Sequence, residues 1–292
     1  MKRLLAIGLA LLLTAAARAE APRVISYGSD LSAAEKTAIA KELPIPADVK
    51  LEQIKTVTVT NEEEWSLLRG LVPDAQIGTK AVSSVYIEKL TAGAGIQVDI
   101  KNINFITPHI YANSLVTAGV SDARVYATAP APVSGTAALV GIFKSFEELT
   151  AKKLSATAQR TAAEELIATG NLGEKIGKER AAVLVERTKE RVVEQKANTK
   201  EEVSKIVEQS ANEQNLSLSD EEKGQLTDLM LKVKQLNIDI TQLRSQLKNF
   251  SRNVKEELPP EAPKSLLSQL IEFFRSLFNR VFSFVGRIFG TV

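Results

Sequence analysis

The stretch IKTVTVTNEEEWSLL, Ile54 to Leu68, changes its local pattern at one residue. Before Thr60, β-branched residues alternate with partners as in a half-buried strand. Thr60 and Glu63 then match a capping box, in which two side chains reciprocally satisfy the free N–H groups of a helix start. The segment therefore reads as a strand running directly into a helix. RVISYG, Arg23 to Gly28, repeats the motif: Ser32 and Glu35 form a second capping box behind it.

Working outward, AVSSVYIEKL and GIQVDIKNI flank Thr91-Ala-Gly-Ala-Gly95, a turn composition that predicts a hairpin. Thr107 followed by Pro108 predicts a cap with proline at the first helical position, and Gly119 closes that helix. DARVYATAP is a further strand, leading to a helix from about Gly135 to Glu148. The resulting order, β-α-β-α-β-β-α-β-α, predicts a mixed α/β domain over residues 20–149.

Residues 150–257 are different. No aromatic residue occurs from Ala151 to Asn249, and no proline between Pro132 and Pro259, so long uninterrupted helices are permitted. Thr199 with Glu202 and Ser219 with Glu222 match capping boxes, and ATGNLGEKIG, Ala168 to Gly177, predicts helix breaks at glycine. Leu226, Leu229, Val233, Leu236, Ile240, Leu243, Leu247 and Phe250 form an alternating three-four seam, predicting one long helix with a coiled-coil edge. The flanking charges do not repeat. The seam therefore reads as packing on neighbouring helices of the same chain, with self-association through Leu226 to Leu247 as the alternative. The fold class expected is α+β: the mixed domain, a long-helix or helical-hairpin region, and a C-terminal amphipathic helix.

The N-terminal segment suggests export, and the C-terminal segment a membrane contact. Met1-Lys2-Arg3, the apolar run Leu4–Leu13 and Ala17-Arg18-Ala19 match a signal peptide over residues 1–19, cut before Glu20. The alternative is an uncleaved anchor. LPPEAPK, within residues 258–264, is a stiff linker. Beyond it, residues 265–292 hold six of the ten phenylalanines. On a wheel of roughly 100° per residue, Phe273, Phe274, Leu277, Phe278, Val281, Phe282, Phe284 and Phe289 share one half. Arg275, Arg280 and Arg287 share the other. This segregation predicts a helix lying in a membrane interface, or alternatively one docked on the protein's own core. The expected location is extracytoplasmic, and the expected partner is a membrane surface or an envelope protein.

The chain has 37 Lys and Arg against 35 Asp and Glu, a balance that argues against a nucleic-acid partner. Without cysteine there is no thiolate nucleophile or zinc-thiolate site. His109 is the only histidine and reads as a surface or capping residue at a helix start. Glu62-Glu63-Glu64 and Asp220-Glu221-Glu222 read as first-turn acids complementing helix dipoles. No catalytic residue, metal ligand or cofactor is expected. In APAPVSGTAAL, the helix start at Ser134, Gly135 and Thr136 offers N–H groups and hydroxyls to an anion; the plainer reading is that Ser134 simply caps the helix.

Several segments together resemble the YpuA-like family of exported bacterial proteins, typical of Firmicutes. They are Asn61-Glu62-Glu63-Glu64, Gln76-Ile77-Gly78-Thr79, Tyr111-Ala112-Asn113, Ala118-Gly119-Val120 and Pro132-Val133-Ser134-Gly135-Thr136-Ala137. The family is defined as a domain of unknown function. The resemblance implies export and this domain organisation, and it assigns no catalytic or binding residue.

Overall fold

The computed structural model describes residues 21–72, 74 and 77–257. The signal-like start, the proline linker and the Phe/Arg segment, with every membrane contact expected between Phe273 and Phe289, lie outside the described residues. The chain divides into two units, Met1–Leu247 and Lys248–Val292, and all contacts below lie within the first.

The first half follows the expected order: β1 (Arg23–Gly28), α1 (Ala33–Glu42), β2 (Lys55–Val59), α2 (Asn61–Leu68), β3 (Ser84–Lys89), β4 (Gln97–Ile103), α3 (Pro108–Ala118), β5 (Ala123–Val133) and α4 (Thr136–Thr150). Both capping boxes in this half form. Thr107 caps α3 ahead of Pro108, and Gly119 ends it in the left-handed conformation at φ 91°.

The five strands stand in the order β2-β1-β3-β5-β4. β1 pairs parallel with β2 and β4 parallel with β5, while β3 is antiparallel to both β1 and β5. This corrects the hairpin expected from β3 and β4. β5 lies between them and hydrogen-bonds to both, so the Thr91–Gly95 loop spans a strand rather than turning one. The reason is burial: Val125 and Ala127 of β5 are fully enclosed, and Val85 and Ile87 flank them on β3. Ile25 and Tyr86 bury one face under Ile39 and Leu43, from α1 and its end.

The second half is helical throughout: α5 (Ala156–Ile176), α6 (Lys178–Glu194), α7 (Lys200–Asn212), α8 (Asp220–Gln235) and α9 (Ile240–Glu257). Leu184, Val185, Val203, Leu226, Leu229 and Val233 share its core. The capping boxes of α7 and α8 form as expected. Across residue 150 the halves meet, with α3 packed on α5 and α6.

Two helix expectations change. Gly170 and Gly173 do not break α5; only Gly177 interrupts the chain, at φ 94°. Gly170 is small for packing, because a Cβ there would lie 2.5 Å from the Phe105 ring. The seam is not one helix either. Asn237 adopts φ 53°, and Asp239 Oδ1 accepts from the Gln242 N–H at 2.9 Å, ending α8 and starting α9. Leu226, Leu229, Val233, Leu243 and Leu247 are buried within the unit, whereas Leu236 and Ile240, at the turn, are half-buried.

Candidate functional site

The β5–α4 junction joins side chains that lie far apart in sequence. The N-cap of α4 is Gly135, at φ 100°, and it has no side-chain cap. Ser134 does not fill that role; its Oγ stands 3.5 Å from the Thr136 N–H. Glycine is required twice over at 135. The conformation is left-handed, and a Cβ would lie 2.4 Å from the Tyr111 hydroxyl and 2.6 Å from Ile103. Tyr111 donates to the Gly135 carbonyl at 2.6 Å. Burial pushes the phenol's pKa up, so it remains a donor.

Glu64 completes the junction. It is turned inward and only 3% exposed, whereas its neighbour Glu63 closes the α2 capping box and pairs with Lys144 at 2.6 Å. The expectation that all three acids simply face the helix dipole therefore fails at Glu64. Its Oε1 accepts from the Thr136 hydroxyl at 2.7 Å. No ion pair to Glu64 forms among the described residues. Burial raises its carboxyl above the usual range, against hydrogen bonds from Thr136 and Asn61.

A direction follows. The single hydrogen of Thr136 goes to Glu64, so Ser134, 3.0 Å away, donates to Thr136. A chain of hydroxyls runs from exposed Ser134 to a buried carboxyl. Its hydrogens point inward, and only the Ser134 hydroxyl, at the exposed end, can turn outward to an anion. Asn61 donates to the Gly78 carbonyl at 2.8 Å. Thus Asn61–Glu64, Gly78, Tyr111 and Ser134–Thr136, from four of the segments that carry the resemblance, converge here.

A second cluster lies between α3, α5 and α6, and it corrects the placing of His109. The imidazole is buried, not a surface or capping group: Nδ1 is 3.2 Å from Glu179 and Nε2 2.6 Å from Glu186. Burial alone would lower its pKa, but the two carboxylates outweigh this and hold it at about 9. Glu179 is correspondingly lowered, chiefly by its hydrogen bond to His109. Two turns along α3, Lys189 is fully enclosed. Its ammonium gives one hydrogen bond each to Glu165 Oε1 (2.5 Å), the Thr117 hydroxyl (2.8 Å) and the Asn113 carbonyl (2.8 Å), which accounts for all three hydrogens. Thr117 in turn donates to Glu165 Oε2 at 2.6 Å. Burial pushes Glu165 upward, and Lys189 works against it.

Among the described residues, no group of three or more acidic, His or Cys side chains could hold a metal ion. Among the same residues, no helix is long and apolar enough to cross a membrane.

A family model described as "Protein of unknown function (DUF1002)" matches residues 27–250. The chain belongs to that family. It is 37% identical over 261 residues to the uncharacterized protein YpuA of Bacillus subtilis (strain 168), covering 89% of this chain and 88% of that protein. No solved structure matches.

Proposed function

We propose that this is an exported, envelope-associated binding or structural module, non-catalytic, held at a membrane surface by residues 265–292. The observation that supports a non-catalytic role is the closure of the polar cluster between α3, α5 and α6. The chain's one imidazole is sandwiched between two carboxylates, and Lys189 has no hydrogen left to offer a substrate. The membrane contact rests on the sequence. Half-burial of the apolar face is worth on the order of 10 kcal/mol before ordering costs, and each arginine adds roughly 1 kcal/mol at an anionic surface. The test is sedimentation with anionic liposomes. The full chain should pellet, and a chain ending at Pro260 should stay in solution with an unchanged melting temperature. A large drop in melting temperature on truncation would instead make the segment part of the core.

A second reading, an enzyme or small-anion-binding protein at Ser134, Gly135 and Thr136, is favoured by the exposed Ser134 hydroxyl beside the start of α4, where Gly135 carries no side-chain cap. Inorganic phosphate should then raise the melting temperature, and Ser134→Ala should abolish the effect. No shift in the parent protein removes this reading.

A further inference from the structure

A cavity of about 650 Å³ opens where the ends of α3 and α4 meet the start of α5, well within the range of small-molecule sites. Three lysines line it, and two of them, Lys89 and Lys152, are not paired with an acid among the described residues. Lys89, at the end of β3, donates to the Ser121 carbonyl at 2.7 Å and lies 5.6 Å from the Phe146 ring centre. Lys152 enters from the α4–α5 turn, where Ala151 at φ 52° throws the chain outward. No ion pair involving either ammonium is formed among the described residues. The nearby acid, Asp122, is buried, and its carboxylate accepts from the Gly95 N–H at 3.0 Å and from Gln246 at 3.1 Å. Lys153, which also lines the cavity, is instead paired with Glu147 at 2.7 Å. Phe146, Leu149 and Leu154 form the apolar part of the wall, and Ser121, Thr150, Ser155 and Gln242 the polar part.

We propose that this cavity binds a small organic anion with an apolar body, its charge held between Lys89 and Lys152. Neighbouring like charges are unfavourable until an anion is placed between them. Lys89 already registers that condition: burial first, and the charge of Lys152 as well, lower its proton affinity against the pull of Asp122. The aromatic and leucine surface selects a ligand with a hydrocarbon portion over a bare inorganic ion. This site is distinct from the Ser134 junction and stands whether or not that junction binds anything.

Calorimetric titration of the full chain with octanoate tests it, with octanol and inorganic phosphate as separate arms. Octanoate should bind one to one, more tightly than either. Lys152→Gln, on the surface, and Lys89→Met should each weaken binding about tenfold, as for loss of a close charge partner. Lys153→Gln should leave it unchanged. Octanol binding as tightly as octanoate, phosphate binding as tightly as octanoate, or unchanged affinity in Lys152→Gln would each overturn the proposal.

Discussion

The two buried polar clusters differ in one respect that separates structure from chemistry. Between α3, α5 and α6, every charge has an opposite: His109 faces Glu179 and Glu186, and Lys189 faces Glu165. At the β5–α4 junction, Glu64 is equally buried but is met only by neutral donors. A closed pair ties each charge to a fixed partner. A lone carboxyl beside hydroxyls has no countercharge to fix it, and its chain ends at exposed Ser134. Charge closure therefore marks the first cluster as a fastening and leaves the second as the place where chemistry remains open.

The sharpest break of this contrast is Lys189→Met. It strands Glu165 in the interior, which should cost about 3–5 kcal/mol, whereas joining it to Glu165→Leu should recover most of the loss. Urea unfolding measures both. A single substitution without effect would mean that water reaches the pair.

His109 comes next. Its folded pKa lies above the ordinary value, so its stabilisation is complete below about 6.5 and is lost as pH rises through about 9. Glu179 is shifted down, so its share is present above the ordinary carboxylate value and is lost on acidification. His109→Gln should remove roughly 3 kcal/mol at neutral pH and flatten the alkaline fall. An equally steep alkaline loss in the variant would assign that loss to other groups.

Thr199→Ala should cost about 1 kcal/mol, since it removes a capping box and no tertiary contact. Glu64→Gln should have the smallest effect. A raised carboxyl favours the folded state only as pH falls through its folded value, so at neutral pH the amide should be neutral or slightly stabilising. A loss of several kcal/mol would show that Glu64 has a cationic partner.

Local chemistry was easy to read in the sequence, and long-range pairing was not. Four capping boxes, the Thr107-Pro108 start and the Gly119 stop all form, because each depends on residues within one turn. The β3–β4 hairpin failed because insertion of β5 depends on pairing more than 30 residues away. The break between α8 and α9 did leave a signal: Asn237, which tolerates positive φ, and Asp239, a good cap, interrupt the seam. The candidate site was half legible. Ser134, Gly135 and Thr136 stand out as a strand-to-helix turn, but no local rule could bring Glu64 to Thr136, 72 positions apart. Glu179 and Glu186 are two turns apart on α6, a spacing that places them on one face, yet nothing in it names His109 as what they face.

Because the sequence contains a single histidine, its imidazole signal needs no assignment by mutagenesis. NMR titration of that signal in the intact protein tests whether the one group best suited to acid–base chemistry is committed to the fold. A midpoint near 9, with both ring nitrogens protonated at neutral pH, is the predicted result. A midpoint near the ordinary value of about 6.5 would show an open imidazole and contradict the account.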